Sequence, residues 1–294
     1  ILLMTDATRQ DMVGCYGNPD MHTPNLDALA QGGVRYQNAY TCQPVCGPAR
    51  SALFTGIYPH SNGSFANCIA LGDNVKTIGQ RLSDNGIRTA YIGKWHLDGG
   101  DYFGLGRCPE GWDPAYWYDM RCYLEELTED ERKLSRKSST NGLSISADFT
   151  FAHRCTDRAI DFLNKYGEED FFLTVSLDEP HDPGLCPEPY ASMFNDYEFP
   201  KAPNVWDTLE GKPEYQKYRA GEGRKADRDA VKLKAPGFFG CNSFADSELG
   251  RVIDCVRSQA PDAIIIYTSD HGEGLGSHCL YCKGPVMYNE IARV

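Results

Sequence analysis

The sequence predicts an α/β protein with a largely parallel central sheet and helices on both faces. Three observations lead there. Strand-like stretches recur at Ile1–Thr5, Arg88–Ile92, Phe171–Leu177 and Ala263–Tyr267. The last three each follow a helix-length segment with its own start and stop signals, the pattern of repeated helix-then-strand units. At 294 residues the chain is also long enough to bury the core of one large domain, 1–294.

Each element has a local reason. Ile1–Thr5 is uniformly apolar up to its last residue and reads as a buried strand. Thr23 is placed to cap a helix from Pro24 to about Gln31, which Gly32 and Gly33 terminate. A further helix opens near Cys46, where Pro48 suits the first turn and Gly56 the stop. Asn74 caps a helix over Val75–Asn85 that ends at Gly86 and leads into Arg88–Ile92. From about Ala147 to Tyr166 a helical period puts Phe149, Ala152, Thr156, Ala159, Ile160 and Leu163 on one stripe. That helix feeds Phe171–Leu177, and another, about Cys241 to Arg257, precedes Ala263–Tyr267.

Two stretches break the rhythm and read as insertions over a pocket rim. Residues 101–145 combine an aromatic cluster (Trp112, Tyr116, Trp117, Tyr118) with the charged run Glu125–Lys137. Such a cluster either packs its own loop or stacks on a sugar or aryl ring. Residues 182–236 are rich in Pro, Gly and charge, with a polar end from Glu210 to Lys234.

Composition narrows the function classes. With 29 Lys and Arg against 41 Asp and Glu the net charge is −12, which argues against a nucleic-acid partner. No apolar run approaches the roughly 20 residues of a membrane helix, so no membrane partner is expected. The chain has 12 cysteines. The pair Cys279-x-x-Cys282 has no second pair to complete a zinc site. Setting Cys46 aside leaves an odd number of thiols, a lean toward a reducing, cytoplasmic compartment.

In open α/β sheets ligands bind outside the carboxyl ends of the strands. Four strand ends here carry reactive side chains: Asp6; Lys94 and His96; Asp178, His181 and Asp182; Asp270 and His271. One Asp after a strand is usually a cap or a turn former. Four such ends plus a helix mouth are more than capping explains. At that mouth Cys46 meets free amides and the positive end of the helix dipole, which favour a thiolate or a bound anion. Arg50, one turn on, lies on the same side. A buried structural cysteine has the same look, since free Cys is among the most buried residue types.

The spacing Cys46-x-Pro48-x-Arg50, followed by Leu53-Phe54-Thr55-Gly56, resembles the signature of the type I sulfatases of the alkaline phosphatase superfamily. Ile1-Leu2-Leu3-Met4-Thr5-Asp6 is similar to that family's opening strand. Gly14-Cys15-Tyr16-Gly17-Asn18 and Thr23-Pro24-Asn25-Leu26-Asp27 are similar to its next segment. Gly93-Lys94-Trp95-His96, Thr268-Ser269-Asp270-His271-Gly272-Glu273 and Lys283-Gly284-Pro285 resemble its later motifs, in the family's order. The resemblance implies a truncated catalytic domain. It implies that a C-terminal subdomain is missing, and Ile291–Val294 reads as the start of another strand.

It also implies a reaction. Cys46 would be converted by a formylglycine-generating enzyme to formylglycine, whose hydrate attacks the sulfur of a small-molecule or carbohydrate sulfate ester. Asp6, Asp270, His271 and an oxygen on the modified Cys46 would bind one divalent cation, Ca²⁺ by family habit, with Mg²⁺ or Mn²⁺ compatible with the ligands. Arg50 would hold the hydrate, and Lys94 and Lys283 would neutralise sulfate oxygens. His181 would protonate the leaving alcohol and His96 would help expel sulfate. These cations would make the pocket locally positive in an acidic protein. His60, in Tyr58-Pro59-His60-Ser61-Asn62-Gly63, also resembles a family segment and is either structural or part of the site. One position departs: where the family commonly has a second carboxylate or amide after its first Asp, this chain has Ala7. Thr8, Asp11, a backbone carbonyl or water would then replace that ligand. Two alternatives stay open: a phosphonate or phosphate ester hydrolase of the same superfamily, and a non-catalytic binding protein on a degenerate hydrolase fold.

Overall fold

The structure, a computed structural model, describes residues 1–142, 145–223 and 235–294. In chain order the elements that frame the site are β1 (Leu2–Asp6), α1 (Pro24–Gln31), α2 (Cys46–Thr55), α3 (Ile78–Ser83), β2 (Arg88–Gly93), α4 (Phe151–Tyr166), β3 (Phe171–Pro180), α5 (Pro236–Gln259) and β4 (Ile266–Ser269). The strands form one parallel sheet in the order β2-β3-β1-β4. All four carboxyl ends therefore open on the same edge.

Strand alternation builds a core on each face. Leu3, Ala90, Ile92, Leu173 and Val175 join Ala152, Phe162 and Leu163 of α4 and Phe244, Leu249 and Ile253 of α5 on one face. Leu2, Met4 and Tyr91 turn to the other, where Phe54 of α2 meets Trp95, Trp112 and Trp117. The aromatic cluster of residues 112–118 is thus core on both sides of the sheet: Trp112 and Trp117 pack in one layer, Tyr116 and Tyr118 in the other. It does not present rings to a ligand. Of the same stretch, Tyr102, Phe103, Ser135 and Arg136 do line a cavity. Residues 182–185 and 235–236 line cavities beside the strand ends as well, while 224–234, with the polar run up to Lys234, lie outside the described residues.

Several element boundaries move for identifiable reasons. The third helix is capped by Thr77 rather than Asn74, because Thr77 and Gln80 form a reciprocal capping box. α4 starts at Phe151, capped by Thr150, with a separate 3₁₀ turn at Ala147–Phe149. Thr23 precedes α1 but makes no side-chain cap. Its hydroxyl accepts from Gly14 N, and the open amides of Asn25 and Leu26 donate instead to Asp246 on α5. α5 begins five residues earlier than its periodicity suggests, with Pro236 at the first turn. β4 begins only at Ile266, the partner of Leu2, and ahead of it the Ile264 carbonyl accepts from the Ile1 amino group. β3 runs on to Pro180: an irregularity after Met4 re-pairs Asp6 with Pro180 and keeps Asp178 in the sheet. At the end of the chain Asn289–Ala292 is a short helix, and Arg293 bridges to Tyr40.

Gly93 shows how tightly the edge is built. It ends β2 at φ +126°, and a Cβ there would lie 1.9 Å from the Ser176 carbonyl oxygen. Lys94 follows directly, and its amide donates to that same oxygen. Gly93→Ala is therefore expected to destabilise the fold by at least about 1–3 kcal/mol, the range for a residue forced into a disfavoured backbone region. Thermal unfolding checks this, and an unchanged melting temperature would refute the close approach.

Candidate active site

The site is assembled from strand ends and one helix start. Asp6 closes β1, Asp270 and His271 follow β4, Lys94 follows β2, and Asp178 lies near the end of β3. Cys46 is the first residue of α2, so its side chain sits among amides that have no partner inside the helix. Its Sγ lies 3.1 Å from His271 Nε2 and 3.8 Å from Asp6 Oδ1. Ligand atoms of Asp6, Cys46, Asp270 and His271 fall within 4.8 Å of one another, and all four residues are buried.

Two buried cations hold the carboxylates. Arg50, fully buried, donates from Nε to Asp270 Oδ2 at 2.9 Å and from Nη2 to Asp6 Oδ2 at 3.3 Å. Its Nη1 donates to the Lys94 carbonyl at 2.6 Å and to Ser176 Oγ at 2.7 Å. These bonds use four of the five guanidinium hydrogens and orient Asp6 and Asp270. Lys94 Nζ lies 2.6 Å from Asp6 Oδ2 and 2.9 Å from Asp178 Oδ1.

The charges are mutually dependent. Burial opposes the Lys94 ammonium, but Asp178 and Asp6 outweigh it and hold the group above the usual lysine range. Burial likewise opposes the Asp6 carboxylate, yet Lys94, His181, His271 and Lys283 keep it well below the normal carboxylate range. Asp270 is pushed up, by burial and then by Asp6 beside it. For Cys46, burial and Asp6 disfavour the thiolate. Lys94, His271 and a hydrogen bond with His181 overcome both and lower its pKa well below the usual value.

Around this centre His181 Nε2 contacts Lys283 Nζ, and His181 Nδ1 lies 3.0 Å from the Tyr102 hydroxyl. His96 is buried at φ +61°, and among the described residues neither ring nitrogen has a partner apart from the adjacent Cys46 thiol. Burial lowers its pKa. His60 is exposed and stacks on Tyr58, remote from these groups. Neither candidate replacement for the acid at Ala7 points inward. Thr8 Oγ1 donates to Asn242 Oδ1, and Asp11 pairs with Arg9. Ala7 itself, at φ +68°, donates its amide to Asp270 Oδ1 at 3.3 Å.

Tyr102 is the participant that sequence reasoning passed over. It lies in an irregular loop with no periodicity to mark it. Ser176, on a central strand, is similarly silent. The site opens into a cavity of 690 Å³ lined by Ala7, His181, Phe238, Glu273, Tyr281 and Lys283, among others. A second, of 270 Å³, adjoins it through His181–Gly184 and reaches Tyr102, Phe103 and Arg136.

The donor set suits a hard divalent cation: two carboxylates and one imidazole converge in a buried cluster whose carboxylates already need positive charge to coexist. The chain superposes on a phosphonate monoester hydrolase of Agrobacterium radiobacter with a TM-score of 0.80 and 23% identity, over 99% of this chain and 66% of that one, a likeness of fold alone. A family model described as Sulfatase matches residues 1–294, and the chain belongs to that family. It is 43% identical over 302 residues to an uncharacterized sulfatase, YidJ, of Escherichia coli K12, covering 100% of this chain and 61% of that protein. To an N-acetylglucosamine-6-O-sulfatase of Bacteroides thetaiotaomicron it is 29% identical over 221 residues, 72% of this chain and 36% of that protein. The chain thus spans less than two thirds of the length of these relatives.

Asp270→Asn should weaken Ca²⁺ binding by more than the roughly 10–100-fold that loss of an outer hydrogen-bond partner costs a metal site. Titration calorimetry on the full chain measures it. Equal affinities in the two proteins would remove Asp270 from the ligand set.

Proposed function

We propose that this chain carries the catalytic centre of a hydrolase of sulfate monoesters, with a sulfated carbohydrate as its substrate class. The observation that carries the reading is the position of Cys46: first residue of a helix, its Sγ against His271 and Asp6, at the convergence of four strand ends. Membership of the sulfatase family and the sugar-sulfate activity named for one relative support it.

Asp6, Asp270 and His271, with an oxygen on modified Cys46, would hold one divalent cation, with Ca²⁺ as the first candidate. Bound there, the cation supplies Lewis-acid activation of the nucleophile. Conversion of Cys46 to formylglycine by a formylglycine-generating enzyme would provide that nucleophile as a hydrate. The remaining roles belong to unmodified side chains. Lys94 and Lys283 stabilise negative charge on the sulfuryl oxygens. Arg50 keeps Asp6 and Asp270 in place. His181, beside the open cavity, gives its proton to the departing alkoxide oxygen as the sulfur–oxygen bond breaks. His96, whose nitrogens have no competing partner beyond Cys46 among the described residues, accepts a proton at that position when sulfate is expelled. A phosphonate or phosphate monoester presents the same tetrahedral oxygens to these cations, and the shared fold keeps that reading in view. Turnover on matched sulfate and phosphonate esters decides between them.

Two outcomes are expected. In active protein, mass spectrometry of the peptide containing Cys46 should show the thiol converted to an aldehyde, and Cys46→Ser from the same host should lose turnover while staying folded. Activity with an unmodified thiol would overturn the mechanism. General acid help is worth about 10²–10⁴ in rate for a poor leaving group, so His181→Ala should lose that much on an alkyl sulfate and far less on a nitrophenyl sulfate. Equal losses on both esters, at an unchanged melting temperature, would take the acid role from His181.

A further inference from the structure

We infer that Tyr102 is a positioning residue that keeps a proton on His181 Nδ1 and so reserves Nε2 for the leaving group. The inference deepens the hydrolase reading and rests on it for its catalytic meaning. The geometry itself stands apart from that reading.

The Tyr102 hydroxyl sits among three polar groups. It donates its single proton to Asp178 Oδ1 at 2.5 Å. It accepts from Lys94 Nζ at 2.7 Å, an ammonium that can only donate. Its remaining lone pair faces His181 Nδ1 at 3.0 Å. The other neighbour of Nδ1 is the Asp182 carbonyl oxygen at 2.9 Å, which can only accept. With the phenolic proton spent on Asp178, both neighbours of Nδ1 are acceptors, so Nδ1 carries hydrogen. On the far side of the ring Lys283 Nζ meets Nε2 as a donor. In neutral His181 the proton is therefore at Nδ1, held there by the two acceptors Tyr102 and Asp182, and the lone pair at Nε2; the Cys46 thiol also hydrogen-bonds His181 and meets it as donor or as thiolate according to its own charge.

The consequence is directional. A proton taken up by His181 can enter only at Nε2, the nitrogen beside Lys283 and the larger cavity. When Nε2 gives that proton to the alkoxide oxygen, the ring returns to the tautomer the protein already holds. No ring flip or tautomer exchange is needed. Tyr102 also links His181 to the Lys94–Asp178 pair without direct contact between His181 and that carboxylate. The ring packs to suit the role: it lies 5.2 Å from the His181 ring, centroid to centroid, and Lys94 Nζ sits 4.1 Å from its own. Burial and Asp178 both push the phenol pKa up, so the hydroxyl keeps its proton.

The test uses the full chain labelled with ¹⁵N-histidine, with His181→Asn to assign the resonance. In wild type, His181 should show a protonated Nδ1 and an unprotonated Nε2. A bare Nδ1 would overturn the inference without any variant needing to fold. In Tyr102→Phe the Nδ1 signal should shift toward mixed tautomers, because one of its two acceptors is gone. An unchanged signal would overturn it as well. In the same variant, turnover of an alkyl sulfate should fall about tenfold, the order of one lost hydrogen bond. KM and nitrophenyl sulfate turnover should hold, since Lys94 keeps Asp6 and Asp178. Equal losses on both esters would mean that Tyr102 acts through Lys94 or packing instead. If wild type cleaves no sulfate ester yet shows the Tyr102-dependent tautomer, the hydrolase reading fails and the positioning role stands.

Discussion

Asp6 and Asp270 are two carboxylates buried side by side, and the rest of the site depends on the one guanidinium that makes this tolerable. Removing a charge from water costs several kcal/mol unless pairing and hydrogen bonds replace the lost solvent. Arg50 spends Nε and Nη2 on the two carboxylates and Nη1 on the Lys94 carbonyl and Ser176 Oγ. Those bonds join α2 to the ends of β1, β2 and β4 and to β3. A lysine could not substitute, because its donors radiate from one point instead of a flat fork. The same residue that lies one turn above Cys46 thus fixes where the candidate metal ligands sit relative to it.

Sheet order then divides the labour. β1 is flanked by β3 on one side and β4 on the other, so Asp6 stands at the middle of the edge. From β4 come Asp270 and His271, next to Asp6 and Cys46. From the β2 and β3 side come Lys94, Asp178 and His181, of which Asp178 and His181 line the cavities. A candidate metal half and a proton-transfer half meet at Asp6, the residue that both Arg50 and Lys94 bind.

Much of this was legible in the sequence. Asp6, Lys94, Asp270 and His271 sit directly at strand ends, where local patterning and the parallel-sheet rule suffice to bring them together. Cys46 was legible from helix start chemistry. What the sequence withheld is contact between distant segments. Asp246 caps α1 from another helix 220 residues away, and no local signal competes with Thr23 for that role. Tyr102 looks like any loop tyrosine until β2 and β3 pair and bring Asp178 and His181 to it. The tryptophans at 112 and 117 left two readings open for the same reason. A cluster of aromatics in an irregular stretch does not say whether it faces solvent or seals a sheet. The Arg50 contacts are a further case: spacing puts the side chain near Cys46, but only the folded edge shows four of its five donors on Asp6, Asp270, Ser176 and the Lys94 carbonyl.

The charge count at the site explains why an acidic protein can present it to an anion, and what Ala7 contributes. The expectation of a locally positive pocket does not follow from side chains alone. Arg50, Lys94 and Lys283 face Asp6, Asp178, Asp270 and Glu273, three cations against four acids. Any net attraction for a sulfate ester must come from the histidines or from a divalent cation among Asp6, Asp270 and His271. A second acid at position 7 would add a third carboxylate beside Asp6 and Asp270, where burial and Asp6 already push Asp270 up. Ala7 instead turns its backbone amide to Asp270 Oδ1, adding a donor where an acid would add charge. Ala7 thus adds no further carboxylate there, so that one bound divalent cation would by itself turn the balance positive.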